Sequence, residues 1–463
     1  MITDADIRAL TEIVGDENVS TRKADLVAHS LDESFATPAE AEVIVWPNST
    51  EQVAAVLRYA NAQRLPVAPW AGGSSLEGNP IPVRGGILLA MYRMNHVLAI
   101  REEDLQVVVQ PGVVYAELNK TLRRLGLFFP PAPGSSDVAT IGGMVANNSS
   151  GMRAVRYGVT RDYIMKLKVV LADGRVVDVG SAAKKSTSGY DLVRLFVGSE
   201  GTLGIVTEVT MKLAGLPEHV AVAVAAFGSL DDASGAVFEA VRYGLEPSAI
   251  EIMDAATVRA TNLQCGLSLK VVPTLFVEFH GSEAFIADQM AYVREICEDN
   301  GCTSFELADT PEERSKLWAA RREAHDSIKL SFPGCTMVAG DVCVPVSQFA
   351  EMIRFSHELG QEMDLHVHCF GHAGDGNLHS EIIGYRDDPE QFARAQEATA
   401  RIIDYGIDLG GTIAGEHGIG LLKRKFMIHE FGAEGVGLMR EIKALFDPNN
   451  ILNPGKIFPD EMV

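Results

Sequence analysis

An α+β architecture in more than one domain is what the sequence predicts, on three observations. The chain has 463 residues, enough for two or three hydrophobic cores. Strand-sized apolar runs alternate with segments of helical period along its length. Three glycine-rich stretches occupy the first half, and the composition changes near Leu216-Pro217-Glu218, ahead of a second half that carries a dense run of histidines. The apolar fraction of 47% without low-complexity segments marks a globular chain, and a formal net charge of -22 argues against holding nucleic acid or an anionic lipid surface by charge. All six cysteines lie between Cys265 and Cys369 with no C-x-x-C pair, which speaks for a reducing compartment and a cytoplasmic protein, association with the inner-membrane surface being left open. The N-terminus has acid residues where a signal peptide has basic and apolar ones, and no apolar run reaches membrane-spanning length.

In order, Ile7, Leu10 and Ile13 stand at helical spacing over residues 4 to 14, with Gly15 suited to end that helix. Glu42 to Trp46 reads as a strand, Ser49 with Gln52 as the cap of a helix reaching about Ala62, and Val67-Ala68-Pro69 as a second strand. This β-α-β unit leads into Ala71-Gly72-Gly73-Ser74-Ser75-Leu76-Glu77-Gly78, whose exposed N–H groups can cradle phosphate; a tight turn without ligand competes with that reading. No G-x-G-x-x-G occurs, so nicotinamide binding lacks its usual support. Leu105 to Val109 is strand-like and Tyr115 to Leu125 helical. The long segment from Pro130 through Gly151 to Gly158, rich in small residues and amides, lets backbone lie against an extended polar ligand. Asp173-Gly174 between two valine-rich runs predicts a hairpin, and Gly198 to Gly204 opens a further strand.

Beyond Leu216, strands at 219–227, 249–253, 274–279 and 303–307 alternate with helical patterns at 283–298 and 310–330. Four histidines then fall within His366 to His379, followed by Ala414-Gly415-Glu416-His417-Gly418. His366 and His368 alternate as on a strand face. His372 and His379 sit among glycines that free the backbone to turn both imidazoles to one point, and with Glu416 they form a ligand set for zinc or manganese with coordination positions left open for substrate. Helices near 421–429 and 434–446 precede a turn-rich tail expected to pack on the first domain.

Taken together, Pro69-Trp70-Ala71-Gly72-Gly73-Ser74-Ser75-Leu76-Glu77-Gly78, Ile141-Gly142-Gly143, Gly198 to Gly204, Gly371 to His379, Gly415-Glu416-His417-Gly418 and Asn453-Pro454-Gly455-Lys456 resemble flavoproteins of the vanillyl-alcohol-oxidase type, and among them the FAD-linked D-2-hydroxy-acid dehydrogenases. The resemblance implies a helical segment at 1–37, a two-part FAD domain at 38–217, a cap domain with the substrate and metal site at 218–445, and a tail at 446–463 returning to the FAD domain. It implies FAD held by Gly72, Gly73, Ser74, Ser75 and Gly78, by Pro133, Gly134, Ser135, Thr140, Gly142, Gly143, Asn147, Asn148 and Gly151, by Tyr157 and Gly158, by Glu200, Gly204 and Ile205, and by Asn453. No histidine or cysteine lies in the cofactor loops, so noncovalent FAD is expected. His372, His379 and Glu416 would ligate the metal, His417 would be the catalytic base, and Arg321 would grip the substrate carboxylate through its planar fork, with Arg322 as the surface residue.

The reaction so implied is oxidation of a D-2-hydroxy acid to the 2-oxo acid, with the hydroxyl proton taken by His417 and hydride passed to flavin N5. Glu381, two residues past His379, would repel a second carboxylate, and Asp341 to Pro345 look like the D-lactate branch, so D-lactate is favoured over D-2-hydroxyglutarate or glycolate. A metal-dependent hydrolase and a flavin-binding subunit without catalysis are the readings from other classes. No haem or iron-sulfur pattern is present, so an external quinone, cytochrome or electron-transfer flavoprotein is expected as acceptor, and a homodimer stays open.

Overall fold

A computed structural model describes residues 1–308 and 310–460 of the chain, which divides into two compact units. The last three residues of the expected tail lie outside this range.

The first unit comprises residues 1–150, 159–216 and 416–463. Its first sheet contains β1 (Val19–Ser20), β2 (Val43–Val45), β3 (Val67–Trp70) and β4 (Ile87–Ala90) in the order β1-β2-β4-β3, the last three parallel. The expected helix between β2 and β3 spans Thr50–Gln63 and is capped by the Ser49 hydroxyl. Its Val53, Val56 and Leu57 meet Val43, Val67 and Leu89 in one core. β5 (Val97–Arg101) and β6 (Gln106–Val109) begin a second sheet, and β7 (Leu127–Phe128) follows. With β8 (Ile164–Val170), β9 (Val176–Gly180) and β10 (Ile205–Lys212) that sheet runs β5-β6-β10-β8-β9, its β8–β9 hairpin turning at the predicted Asp173-Gly174. β11 (Ala214–Gly215) pairs with β7.

The second unit comprises residues 151–158 and 217–415. Its strands are β12 (His219–Phe227), β13 (Ala249–Met253), β14 (Thr274–Gly281), β15 (Cys302–Leu307), β16 (Thr336–Cys343), β17 (Val367–His372) and β18 (Asn377–Gly384), ordered β15-β12-β14-β13-β17-β18-β16 in one antiparallel sheet. On the face that carries Met253, Phe276 and Phe370, a core forms with Trp318, Ala324 and Ile328 from helices Pro311–Arg322 and Ala324–Ser331.

Several expected boundaries move. The return to the first unit begins at Glu416, ahead of residue 446, because the Glu200 carboxylate accepts N–H groups of Ile419 and Gly420 while the Glu77 carbonyl accepts that of Leu421. Residues 1–37 are no separate segment: Leu10 and Val14 lie in the first unit's core, and Tyr59 donates to Asp6 at 2.6 Å. The helix expected over 310–330 breaks at Glu323, whereas the two helices expected near 421–429 and 434–446 are present within Met427–Phe446, divided at Gly432, whose φ of +69° is not helical. The tail does pack on the first unit, where Ile451 and Leu452 join the core and Asn453 donates its N–H to the Val67 carbonyl at 2.8 Å.

Residues 151–158 belong to the second unit through a buried carboxylate. Glu278 accepts from Arg153 Nε at 3.0 Å and pairs with His280 Nε2 at 2.8 Å, while Tyr157 Oη meets His280 Nδ1 at 2.8 Å and Arg156 donates to the His280 carbonyl at 2.7 Å. Burial alone would raise the Glu278 pKa, but the charges of Arg153 and His280 and their hydrogen bonds bring it down to about 2. A carboxylate depressed on folding stabilises above its unfolded pKa and loses that contribution as pH falls through the folded value. Glu278→Gln is therefore expected to flatten the stability curve between about pH 4.5 and 2 and to lower stability at neutral pH by roughly 3 kcal/mol. Urea denaturation at stepped pH reads this, and an unchanged acid limb would refute it.

Candidate functional site

In the second unit the register of β13, β17, β18 and β16 stacks polar side chains in successive rungs of one sheet face. The first rung holds Glu251, His372 and Asn377, the second Phe370, His379 and Asp341, the third His368 and Glu381. The turn between β17 and β18 closes at Gly376, whose φ of +75° and whose approach to the Val344 carbonyl leave no room for a side chain. That turn puts the two histidines on adjacent strands.

His372 Nδ1 lies 2.8 and 2.9 Å from the two oxygens of Glu251, which is wholly buried. A carboxylate there accepts the hydrogen bond of Nδ1–H, which fixes that tautomer and puts the lone pair on Nε2. His379 Nε2 faces it at 3.4 Å, with the rings at 89°. Two imidazole nitrogens bound to one tetrahedral zinc at about 2.0–2.1 Å stand about 3.4 Å apart, so this donor pair fits such an ion. Asp341, wholly buried, stands 3.6 Å from His379 Nδ1 and accepts from Asn377 Nδ2 at 2.7 Å.

Arg321, 4% exposed, lies in the last turn of the helix Pro311–Arg322, and its guanidinium lies 4.9 Å over the Phe370 ring. Its Nη2 is 2.5 Å from Glu251 Oε2, an ion pair whose angle makes no hydrogen bond, and neither Nε nor Nη2 has a hydrogen-bond partner among the described residues. Arg322 is exposed, as expected. Glu251 thus holds both His372 and Arg321, and nothing in the sequence reading named it. Its one signal is a lone acid inside the apolar run Ala249-Ile250-Glu251-Ile252-Met253.

In the first unit, Glu416 Oε2 accepts from Ser150 Oγ at 3.0 Å, and the His417 carbonyl accepts from Asn147 Nδ2 at 3.1 Å. His417 Nδ1 is 3.6 Å from Glu77 Oε1, which pairs with buried Lys423 at 3.0 Å. The first glycine loop and the 133–143 segment approach closely, for a Cβ on Gly72 would lie 2.5 Å from the Val138 carbonyl, and a Cβ on Gly142 would lie 2.6 Å from the Pro111 side chain. Ser74 and Ser135 hydroxyls stand 3.5 Å apart, Gly134 opens to free space, and Thr140 caps the helix Ile141–Asn147 through Gly143 N–H. This is a half-open surface of N–H groups and hydroxyls without bulky side chains, the chemistry a dinucleotide's phosphates require.

Other expected cofactor residues have protein partners. Glu200 accepts from Asn79 at 2.6 Å as well as from Ile419 and Gly420, Asn148 accepts from Arg161 N–H at 2.9 Å, and Asn453 donates to the carbonyls of Asn79 and Glu200. Ile205 is in the core, and a Cβ on Gly204 would meet Val169 at 2.5 Å. Gly151, Tyr157 and Gly158 fall in the second unit, while Pro133 is buried in the first. His372, His379 and Arg321 are brought together within the second unit; Glu416 and His417 belong to the first.

Residues 41–180 match the model of an FAD binding domain, and residues 216–457 that of the C-terminal domain of FAD linked oxidases. The chain is 40% identical to a mitochondrial D-lactate dehydrogenase [cytochrome] of Arabidopsis thaliana over 90% of its own length and 73% of that relative. It is 36% identical to glycolate oxidase subunit GlcD of Bacillus subtilis, covering 99% of this chain and 97% of the relative. Among solved structures, p-cresol methylhydroxylase with substrate bound superposes with a TM-score of 0.81 at 17% identity over 98% of this chain and 97% of that one. The 4-ethylphenol oxidase from Gulosibacter chungangensis gives 0.80 at 20% over the same shares. These last two likenesses establish the two-domain fold of the vanillyl-alcohol-oxidase type. Among the described residues no helix is long and apolar enough to cross a membrane.

Proposed function

Because the chain belongs to the family of FAD-linked oxidases, as an oxidoreductase and not a metal hydrolase, we propose that it oxidises a small D-2-hydroxy acid such as D-lactate to the 2-oxo acid. The observation that carries the reading is the pair of facing imidazole nitrogens at 3.4 Å beside an arginine whose Nε–H has no hydrogen-bond partner among the described residues. Bound FAD supplies the hydride acceptor, and a bound divalent metal supplies a positive charge that makes the substrate hydroxyl more acidic.

The chain's own residues do the rest. His372 and His379 present the metal donors, with Glu251 fixing the His372 tautomer. Glu416 is the third donor in this reading, a carboxylate of the kind such an ion accepts. Arg321 receives the carboxylate through its Nε–H, which has no hydrogen-bond partner among the described residues, and so orients the carbon to be oxidised. His417 takes the hydroxyl proton, its Nδ1 lying 3.6 Å from Glu77 Oε1. The glycine and serine loops of the first unit hold FAD without a covalent bond. Electrons leave to a separate acceptor, for which the word cytochrome in the Arabidopsis relative's name supports a haem protein. Likeness to GlcD supports glycolate as the second reading.

Anaerobic mixing of the purified protein with D-lactate, L-lactate, glycolate and D-2-hydroxyglutarate, with and without a chelator, tests this. The flavin is expected to bleach with D-lactate and to stop doing so after chelation. Bleaching by glycolate alone would move the substrate, indifference to chelation would remove the metal, and a colourless protein that takes up no FAD would overturn the reading.

A further inference from the structure

One rung beyond His379, the same sheet face carries a second polar group that the reaction just described leaves unused. Glu381, 2% exposed, lies opposite His368, 5% exposed, and accepts from or pairs with His325 Nδ1 at 2.7 Å. His368 Nδ1 has no hydrogen-bond partner among the described residues. On the same sheet face Met337, Phe370 and Ile383 belong to the core of this unit, and Phe332 packs on the His368 ring at 5.4 Å, while Asp254, His357 and His366 are the other charged or titratable groups that act on His368. The Glu381 side chain is 3% exposed and that of His325 26%, and burying a carboxylate carries a desolvation cost that a well-packed apolar residue would not, so a fold has little call for this one.

Its placement relative to the catalytic groups is regular. Rungs on one face are about 6.5–7 Å apart along a strand. Arg321 covers the Phe370–His379 rung, and His325, four residues on in the chain, covers the His368–Glu381 rung. A 2-hydroxy acid held by its carboxylate at Arg321 and its hydroxyl beside His379 has only one part left to reach the next rung, the substituent on carbon 3. A hydroxyl there can donate to Glu381 and accept from an imidazole N–H. A methyl leaves both groups without a new partner, and a second carboxylate meets the charge of Glu381.

We propose that Glu381, His325 and His368 form a subsite for a hydroxyl on carbon 3, and that the enzyme prefers 2,3-dihydroxy acids to D-lactate. This rests on the proposed hydroxy-acid oxidation and names its substrate class. The protonation states agree with it. Burial would lower the His325 pKa, but the charge of Glu381 and their hydrogen bond raise it, whereas burial lowers that of His368 and keeps its ring neutral.

The test compares D-glycerate with D-lactate on the holoenzyme, and titrates 3-hydroxypyruvate against pyruvate into the oxidised holoenzyme by calorimetry. D-Glycerate is expected to exceed D-lactate in kcat/KM by about ten- to a hundredfold, and hydroxypyruvate to bind about tenfold more tightly than pyruvate. In the double variant Glu381→Leu/His325→Leu, which leaves no buried half of the pair, both preferences should reverse. Glu381→Gln, which keeps the shape, should narrow them if the double variant fails to fold. A wild-type preference for D-lactate and pyruvate, or a preference for the hydroxylated acids that survives in a variant with an intact flavin spectrum, would overturn the subsite. Failure of the hydroxy-acid reading itself shows separately, as no bleaching by either acid in the wild type, and the subsite falls with it.

Discussion

His372→Ala and His379→Ala proteins are expected to purify yellow, with FAD bound, but to retain less than about a tenth of the wild-type metal after dialysis. Loss of a single outer carboxylate partner of a ligand already costs about 10–100-fold in metal affinity, and removing the ligand costs more. Each variant should also reduce its flavin with D-lactate at least about a hundredfold more slowly. The two readouts decide between two accounts of the 3.4 Å spacing, which is also the long edge of an N–H···N hydrogen bond. If the histidines merely bond to each other in a core, both variants lose some stability and neither changes the metal content. Metal analysis by mass spectrometry on protein dialysed against buffer with and without added zinc or manganese separates the cases, and full occupancy in either variant would remove that histidine as a ligand. Glu251→Gln refines the comparison. It should lower metal affinity less than the histidine variants but lower stability more, because it weakens the partner of the Arg321 guanidinium, itself 4% exposed.

Those two histidines were legible in the chain because their spacing is local. Glycines at 371, 374 and 376 announce a turn, and a turn of that kind between alternating residues places both side chains on one sheet face. Glu251 was not legible because it comes from a strand 121 residues away from His372 in sequence. Read alone, a glutamate in an alternating strand belongs on a solvent face; only the register of four strands shows that this face is covered and that the carboxylate has a histidine and an arginine to hold. Glu278 was hidden in the same way, inside Leu275-Phe276-Val277-Glu278-Phe279. The eight-residue excursion of 151–158 into the second unit left a trace only in its bounding glycines, since its attachment depends on that unseen carboxylate. Arg321 was found by resemblance and not by pattern, for one of two adjacent helix arginines is indistinguishable from the other until the helix is placed on the sheet. The boundary at Glu416 was missed for a further reason. Its cause is hydrogen bonding of backbone N–H groups to Glu200, and backbone groups carry no residue-type signal.

Removing the His417 imidazole should separate cofactor binding from chemistry in a single step. His417→Ala is expected to keep the wild-type flavin spectrum, FAD content and metal content, and to reduce flavin with D-lactate about 10²–10⁴-fold more slowly, the range that a positioned general base supplies. The main chain at this position is fixed without the ring, since the carbonyl accepts from Asn147 and the following N–H groups of Ile419 and Gly420 are taken by Glu200. Truncation at Cβ therefore leaves the loop in place. A base role further predicts that exogenous imidazole restores part of the rate in the variant and none in the wild type, because the rescuing molecule can occupy only a vacated volume. A purely structural His417 predicts a different pattern, with weakened FAD or metal retention and no response to imidazole. Stopped-flow reduction under anaerobic conditions, at saturating D-lactate, reads the step directly and avoids the unknown acceptor. A variant that bleaches at the wild-type rate would remove His417 as the base and leave the proton's destination to be found elsewhere in the site.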